Sequence, residues 1–391
     1  MKRFLVLILL LSFIFQFCKS TNNSDKKQST EVRGVWLTNV DSKVLDSREN
    51  IAEAMRFLAD HNFNIVYPVV WNNGRTLYPS DVMEDNFGIR ISSRFEGRDP
   101  LKELVDEAHK NGLTVIPWFE YGFSSSHNKD GGIIIEKKPE WAARDRDGKL
   151  LKKNGFEWMN AYHPEVRQFI MDLLLEVVEN YDVDGIQGDD RLPAQPVEGG
   201  YSDYTKQLYA DEHNGKMPPE DYQNEDWKEW RADKLSDFAE QVYGEIKAVD
   251  SDLIVSWAPS IYPWSKNEYL QDWPEWYRRG AGDIFHPQVY RRNFEDYQQA
   301  FKTLSSENLG IEKPQEIVYP GILMNLGDWV MSSNYLSKLI EFNRKNGFKG
   351  EVYFFYEGLR KNDDKLAKLL KNNYYTEPAK LPFTPNFKLE Q

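Results

Sequence analysis

Short apolar segments rich in β-branched and aromatic residues alternate with amphipathic segments from position 31 onward. The short segments have the length and composition of buried strands, and the longer ones have the periodicity of helices. Eight strands are predicted, at 32–39, 65–71, 114–120, 183–187, 253–259, 283–290, 317–323 and 350–357. Each is followed by a predicted helix, at 50–61, 100–111, 164–180, 227–249, 268–279, 294–304, 333–346 and 363–371. Repeated βα units of this kind are typical of parallel sheets, so the predicted fold class is α/β, a (β/α)₈ TIM barrel.

Three connecting segments are long and are predicted to be loop insertions after strands 2, 3 and 4. They cover 72–98, 121–163 and 192–226. Long insertions at the active face of a barrel usually serve binding. Trp141 and Trp158 lie in the second one and are expected to line sugar subsites, the alternative being that both are core residues.

The N-terminal segment resembles a bacterial lipoprotein signal. Lys2 and Arg3 precede an apolar run over 4–17, which is short for a membrane span. Cys18 ends this run and is the predicted lipidation site, whereas an ordinary signal peptide would make this cysteine incidental. A single cysteine excludes an intrachain disulfide. The predicted domains are a lipoprotein-type signal peptide at 1–18, a flexible tether at 19–30, the catalytic barrel at 31–375 and a C-terminal tail at 376–391.

Composition and charge narrow the range of partners. The 391 residues carry a formal net charge of -13, which argues against nucleic acid or an anionic membrane surface as the main partner. Aromatic residues make up 14% of the chain, including 12 Trp and 21 Tyr. Carbohydrate sites use flat rings against sugar faces, so this composition favours a polysaccharide or oligosaccharide partner.

Two adjacent carboxylates, Asp189 and Asp190, follow the fourth predicted strand. Buried acids at the end of a strand are costly unless they are paired or used. Because side chains alternate along a strand, Asp189 shares a face with Gln187 and is predicted to point into the barrel mouth. Asp190 is predicted to hold a loop, a sugar hydroxyl or a neighbouring base.

Glycosidic cleavage requires a second carboxylate, and Glu120 and Glu357 end predicted strands 3 and 8. Neighbouring strands lie ~4.8 Å apart. Asp189 and Glu120 could therefore approach the ~5–5.5 Å separation of a retaining pair. Asp189 is the predicted nucleophile, ionised, and Glu120 is the leading general acid, with a pKa raised by Trp118 and nearby negative charge. Glu357 is the alternative acid. The predicted substrate-binding residues are Trp36, Asn39, Trp71, Trp118, Gln187, Arg191, Trp257, Gln288 and Tyr290.

Competing barrel chemistries leave signals that this sequence lacks. The six histidines are scattered, without the His-x-His pairs typical of metal-dependent hydrolases, and no lysine ends a strand where a Schiff base would form. No glycine-rich loop after strand 7 or 8 is suited to phosphate. No metal and no cofactor are predicted.

Segments throughout the chain resemble the glycosyl-hydrolase-like family ten, bacterial barrels that are often exported as lipoproteins. The matching segments are 33–38, 77–80, 99–101, 107–109, 139–141, 160–167, 183–190 and 287–290, and the likeness extends over roughly 31–360. The resemblance implies a glycosidase acting on a bacterial polysaccharide, with peptidoglycan glycan strands as a leading candidate.

The segment 185–189 also resembles the strand-four motif Gly-Phe-Arg-x-Asp of the amylase-like clan, whose aspartate is the nucleophile, although Gln187 replaces the arginine. The family commonly has an aromatic residue before the Asp-Asp pair and a tyrosine after it. Gly188 and Arg191 stand at these positions here. This departure is expected to open the pocket and to add a positive charge.

Together, these patterns predict an exported, membrane-anchored glycoside hydrolase on the periplasmic or cell-surface face, monomeric and retaining. A surface-anchored glycan-binding protein on an inactive barrel is the alternative. A third hypothesis, a polysaccharide deacetylase or other metal hydrolase, requires a metal ion.

Overall fold

The computed structural model describes residues 29–383. The predicted signal segment, Cys18 and most of the predicted tether lie outside the described residues, as does the chain beyond position 383. The predicted barrel range 31–375 lies wholly within them.

Parallel strands form the centre of the molecule. They are β1 (Val32–Leu37), β2 (Ile65–Pro68), β3 (Thr114–Val115 and Trp118–Phe119), β4 (Gly185–Gly188), β5 (Ile254–Trp257), β6 (Ile284–Phe285), β7 (Gly321–Leu323) and β8 (Gly350–Phe354). One sheet has the order β7-β8-β1-β2-β3, through the first half of β3. The other has the order β6-β5-β4-β3, through the second half. All strand pairs within both sheets are parallel.

Isolated parallel bridges connect the edges of the two sheets. Val69, just after β2, pairs with Trp118 in the second half of β3. At the other edge, Phe285 pairs with Val318 and Gln288 pairs with Gly321. The fold is therefore α/β with a parallel centre, and its two sheets are joined at both edges.

Helices follow the strands, and their first turns have the expected sequence signals. The Ser47 side chain accepts from Asn50 N at the start of the first helix, and the Asp99 side chain accepts from Lys102 N at a later one. The helices are α1 (Arg48–Asp60), α2 (Pro100–Lys110), α3 (Pro164–Asn180), α4 (Glu225–Val249), α5 (Trp273–Arg278), α6 (Phe294–Phe301), α7 (Ser333–Lys345) and α8 (Tyr356–Asn373). A kink divides α8, because residues 361–364 are not helical. No helix within residues 29–383 has both the length and the apolar character needed to cross a membrane.

Several predicted strand ends are too late. The prediction placed Glu357 at the end of strand 8, but the strand ends at Phe354, and Glu357 lies in the first turn of α8. Strand 6 ends at Phe285 rather than at 290, shortly before Pro287, which cannot donate to a strand ladder. Pro117 likewise lacks a backbone N–H, and it lies where β3 is interrupted between its two halves.

The helix predicted at 268–279 is two short helices, Trp264–Tyr269 and Trp273–Arg278. Leu270, between them, has a φ of 57°, in the left-handed region that ends the first helix.

The connecting segments contain ordered elements of their own. Ser124–His127, Phe156–Trp158 and Lys152–Lys153 form a three-stranded antiparallel sheet between β3 and α3. Trp71–Asn72 pairs with Arg75–Thr76 after β2, and Asn325–Leu326 pairs with Trp329–Val330 after β7. Short helices at Asp81–Phe87, Gly132–Lys137 and Asp203–Glu212 complete these segments.

Candidate active site

Three carboxylates surround the guanidinium group of Arg191 at the carboxyl ends of β3 and β4. The nearest oxygens of Asp189 and Asp190 each lie 2.9 Å from a guanidinium nitrogen, and Glu120 Oε1 lies 3.7 Å away. Arg191 Nε also donates to the Glu120 backbone oxygen at 3.0 Å. The Phe156 ring lies 4.5 Å from the guanidinium carbon and covers the group. The side chains of Glu120, Asp189, Asp190 and Arg191 are called the acid cluster below.

Asp189 is the most enclosed acid of the cluster. It is 3% exposed, and both of its carboxylate oxygens accept hydrogen bonds. Gln288 Nε2 donates to Oδ1 at 2.7 Å, and Arg191 donates to Oδ2 at 2.9 Å. Burial and the neighbouring charge of Asp190 raise its pKa well above its usual value, and the Arg191 charge opposes this rise. Burial thus acts against the ionised form that was predicted for Asp189, whereas the two N–H donors on its oxygens act in favour of that form.

Glu120 extends from the end of β3 into the same cluster. Its side chain is 16% exposed, and its Oε2 accepts a short hydrogen bond from the Asn72 amide. Burial raises the pKa of Glu120, whereas Arg191 and Asn72 lower it. The direction predicted for Glu120 therefore matches, although burial contributes most of the rise.

The acid separation is limited by the shared guanidinium. Glu120 Oε1 and Asp189 Oδ2 both approach the same Arg191 nitrogen, at 3.7 and 2.9 Å. The two oxygens therefore lie no further apart than the sum of these distances. That sum is close to the lower limit of the ~6.5–9.5 Å range of inverting pairs. The ~5–5.5 Å separation of a retaining pair and the shortest separations of inverting pairs both lie within this bound.

Aromatic rings form one wall beside the acid cluster. The Tyr290 ring stacks on Phe354, with centroids 5.2 Å apart and planes at 28°, and Trp36 meets both rings edge-on. Trp118 joins this group, with its ring 6.3 Å from that of Trp36. Burial, followed by the charges of Asp189 and Asp190, raises the pKa of Tyr290 well above its usual value. The Tyr290 hydroxyl therefore keeps its proton close to the carboxylates.

Two predicted binding residues, Trp36 and Gln187, form a buried support for this wall. Trp36 Nε1 donates to Gln187 Oε1 at 2.6 Å, and Gln187 Nε2 donates to Ser256 Oγ at 2.8 Å. Gln187 is 0% exposed, so its side chain is closed to a substrate. We therefore assign Gln187 to positioning of Trp36 instead of substrate binding.

Trp71 and Trp257 are also placed differently from the prediction. Both are fully buried and use their indole N–H groups on backbone oxygens, at Gly122 and Ala281 respectively. Trp71 packs on Phe169 of α3, and Trp257 packs on Trp276 of α5. Their contacts are those of packing residues between strands and helices.

The expectation that Gly188 opens the pocket is wrong. A Cβ atom at position 188 would lie 2.3 Å from the Trp257 ring. The room that glycine leaves is therefore filled by an indole from the neighbouring strand, on the face away from Gln187.

Trp141 and Trp158, expected to line subsites, are each 1% exposed. Trp141 Nε1 donates to Glu165 Oε2 at 3.0 Å, and its ring packs on Phe87 and Phe169. Trp158, in the antiparallel sheet, packs on Tyr269. Both placements fit the alternative, that Trp141 and Trp158 are core residues.

Glu357 and Asn39 line a separate cavity beside β1 and β8. Glu357 Oε1 accepts from Ser42 Oγ at 2.7 Å, and none of its hydrogen bonds or ion pairs reaches the acid cluster within the described residues. Glu120 is therefore the better-placed partner for Asp189.

Several site residues were not predicted. Asn72 binds Glu120, and Gln271 Nε2 donates to the Asp189 backbone oxygen at 3.0 Å. Asn72 directly follows predicted strand 2, so its position gave a usable signal. Phe156 lies in the antiparallel sheet between β3 and α3, and Gln271 lies between two short helices. The sequence pattern does not indicate the path of either segment. No group of three or more His, Cys, Asp or Glu side chains within 29–383 is arranged to hold a metal ion.

The sequence matches a known protein family and is similar to individual known proteins. The profile of the family described as glycosyl hydrolase-like 10 matches residues 31–325. The chain is 22% identical over 427 aligned positions to glycosyl hydrolase YngK of Bacillus subtilis strain 168, covering 98% of this chain and 79% of that protein. It is 30% identical over 192 positions to glycosyl hydrolase DigH of Escherichia coli K12, covering 42% of this chain and 43% of that protein.

Solved structures share the fold at low sequence identity. The glycoside hydrolase domain of PgaB (BpsB) from Bordetella bronchiseptica superposes with a TM-score of 0.65 at 15% identity, covering 88% of this chain and 98% of that one. The catalytic domain of β-amylase from Paenibacillus polymyxa gives a TM-score of 0.62 at 12% identity, covering 89% and 99%.

Proposed function

Because this chain belongs to the glycosyl hydrolase-like 10 family, we propose that it is an exported glycoside hydrolase that cleaves a bacterial cell-wall or related polysaccharide with retention of configuration. The observation that carries this proposal is the pair Asp189 and Glu120 on one guanidinium nitrogen, at 2.9 and 3.7 Å. Two carboxylates at short separation are what a retaining glycosidase requires.

The proposed framework is a closed (β/α)₈ barrel. It is supported by the strand order of the two parallel sheets and by the bridges at both of their edges. We treat the connections after β2, β3 and β4 as insertions at the carboxyl face of this barrel, where barrel enzymes place their sites.

We infer that the acid cluster of the active enzyme holds one proton. Three ionised carboxylates beside Arg191 would leave a net charge of -2 in a mostly buried space, and burial raises the pKa of both Asp189 and Glu120. Asp189 accepts N–H donors on both oxygens, which favours its ionised form. Glu120 has the longer contact with Arg191, so we place the proton on Glu120.

The catalytic cycle follows from these protonation states. In the first step, the Asp189 carboxylate attacks the anomeric carbon while Glu120 gives its proton to the leaving glycosidic oxygen, forming a glycosyl-enzyme ester. In the second step, ionised Glu120 takes a proton from water, and the resulting attack releases the sugar and restores Asp189. The Tyr290 hydroxyl, held in its protonated form, can donate to the reacting carboxylate or to a sugar oxygen.

The first experiment is incubation of the protein with a panel of purified cell-wall, plant and algal glycans, with products identified by mass spectrometry. Asp189→Asn should abolish release of reducing ends from every substrate. Glu120→Gln should spare nitrophenyl glycosides, whose leaving group needs no protonation. Glu357→Gln tests the alternative acid and should keep activity, because Glu357 lies outside the acid cluster. Glu245→Gln, at an exposed position on α4, is the matched control.

The stereochemical outcome decides the mechanism. NMR of the first-formed product should show the anomeric configuration of the substrate, and an inverted product would exclude a nucleophilic Asp189. Glycan binding without release of reducing ends, unchanged in Asp189→Asn, would instead indicate a glycan-binding protein on an inactive barrel. Loss of activity with a chelator would indicate a metal hydrolase.

Location and assembly also belong to the proposal. We propose that Cys18 carries a lipid anchor, that the barrel lies on the periplasmic or cell-surface face, and that the protein acts as a monomer. The support for the anchor and for export is the sequence of the first 18 residues, in which Lys2 and Arg3 precede an apolar run that ends at Cys18.

A further inference from the structure

Gln288 follows β6 and lies directly beside Asp189 at the carboxyl ends of the parallel strands. Its backbone N–H donates to the Pro259 oxygen at 2.8 Å, and the residue forms a parallel bridge with Gly321 at the start of β7. Its backbone is therefore held on both sides, by the residues after β5 and by β7. The side chain is half-buried, and its Nε2 lies 2.7 Å from Asp189 Oδ1.

The partners of the Gln288 side-chain amide fix its orientation. Nε2 donates to Asp189 Oδ1 at 2.7 Å and to the Ala258 backbone oxygen at 3.0 Å. A carboxylate and a backbone carbonyl are both acceptors, so a flipped amide would place its oxygen against two other oxygens. Both donors of the NH₂ group are thus used, and the position of Oε1 follows from them.

The remaining polar atom of this side chain, Gln288 Oε1, is an open acceptor. It accepts no hydrogen bond from any residue within 29–383, and it is not one of the buried unpaired polar atoms of that range, so solvent reaches it. A neutral amide places this acceptor beside the Asp189 carboxylate without adding a further negative charge. A ligand that approaches Asp189 therefore meets an accessible oxygen that can accept from an O–H or N–H group.

The chemistry of attack by Asp189 limits which sugar group can supply the donor. The nitrogen and oxygen of one amide are about 2.3 Å apart, so Gln288 Oε1 lies within about 5 Å of Asp189 Oδ1. The anomeric carbon under attack has two ring neighbours, the ring oxygen and C2. The ring oxygen carries no proton, whereas C2 carries a hydroxyl in hexoses and an acetamido N–H in N-acetylhexosamines. The C2 group is therefore the donor nearest to the attacked carbon.

We propose that Gln288 is a specificity-determining residue, whose Oε1 accepts a hydrogen bond from the C2 hydroxyl or the C2 amide N–H of the sugar unit attacked by Asp189. The inference rests on the proposed function, and it narrows the substrate class to glycans whose cleaved unit has such a donor at C2. Hydrogen bonds at this position strengthen as positive charge develops on the anomeric carbon, so they act on kcat as well as on KM.

The test compares two substrates in each protein, so that a change in Asp189 alone affects both alike. The substrates are the nitrophenyl glycoside of a sugar released in the glycan panel and the corresponding 2-deoxy glycoside. Gln288→Met, which keeps an unbranched side chain, should lower the preference in kcat/KM for the first over the second by about 10- to 100-fold relative to wild type. The intrinsic reactivity of the two glycosides is the same for both proteins and cancels. Gln241→Met, at an exposed position on α4, is the matched control and should keep the wild-type preference.

The outcomes separate this inference from the proposed function. An unchanged preference in folded Gln288→Met, with both substrates slowed alike, would overturn the inference, leaving Gln288 as a positioning residue for Asp189 and the hydrolase intact. If the variant does not fold, wild type is assayed on the 2-O-methyl glycoside, which keeps the C2 oxygen and removes its proton. Hydrolysis of this glycoside as fast as the parent would overturn the inference, and hydrolysis at least about tenfold slower would support it. No cleavage of any glycan by wild type would overturn the proposed function and this inference together.

Discussion

Replacement of Arg191 by Met should change both the pH dependence and the stability of the protein. The substitution keeps an unbranched chain under the Phe156 ring and removes the guanidinium that contacts the three acids. Two charges about 4 Å apart interact by ~4 kcal/mol at an effective dielectric of ~20. Loss of Arg191 removes the charge that opposes the rise in the pKa of Asp189, so this pKa should rise further above its usual value.

The sign of the stability effect follows from proton linkage. Burial already raises the pKa values of Asp189 and Glu120 above their unfolded values of ~3.9 and ~4.3. The unfolded chain therefore loses these protons first, and the contribution of the two groups to the unfolding free energy falls as pH rises through the folded pKa values. Without Arg191 this decline should extend to higher pH. Removing one partner of a buried ion pair costs ~3–5 kcal/mol where the acids are ionised.

The assay combines urea unfolding at pH 5 and pH 8 with a pH–rate profile on a cleaved substrate. Arg191→Met should lose more stability at pH 8 than at pH 5, and the acidic limb of its pH–rate profile should move to higher pH. Arg146→Met is the matched control, since Arg146 is exposed and meets Asp147 only at 3.9 Å. Equal losses at the two pH values, or an acidic limb that does not move, would refute the assigned role of Arg191.

Three further predictions test the packing, the aromatic wall and the anchor. Trp141→Ala should lower the unfolding free energy by ~3–5 kcal/mol, whereas Trp264→Ala, at a position that is 46% exposed, should leave the urea midpoint nearly unchanged. Tyr290→Phe keeps the ring that stacks on Phe354 and removes the hydroxyl, so kcat should fall by ~10²-fold with no change in melting temperature. Full activity of this variant would show that the hydroxyl has no role in the mechanism. Cys18→Ser should move the protein from the membrane fraction to the soluble fraction or leave it unprocessed; identical soluble fractionation of both forms would exclude the anchor.

Strand and helix order could be predicted because each strand is an apolar segment and each helix an amphipathic one. The helix predicted at 164–180 is confirmed as Pro164–Asn180. Strand ends were harder, because Pro117 and Pro287 interrupt ladders inside segments that remain apolar. An apolar pattern indicates burial, and the residues that follow a strand can remain buried after the backbone has left the sheet.

The approach of Asp189 and Glu120 could be predicted from strand alternation and from the adjacency of β3 and β4. The role of Arg191 could not, because its side chain folds back on the two preceding acids through a turn. The prediction of Trp257 as a substrate-binding residue was wrong. Ser256 binds Gln187 on the inner face, so strand alternation directs Trp257 to the outer face. The prediction followed the aromatic character of Trp257 instead of this alternation.

The glycine at position 188 and the indole of Trp257 share one volume between two adjacent strands. Neither position can change size alone: Gly188→Ala drives a methyl group into the ring, and Trp257→Ala leaves a cavity next to the backbone that carries Asp189. The two positions should therefore covary among related proteins, so that a larger residue at 188 accompanies a smaller one at 257. In a double-mutant cycle, Trp257→Leu should restore part of the stability lost in Gly188→Ala.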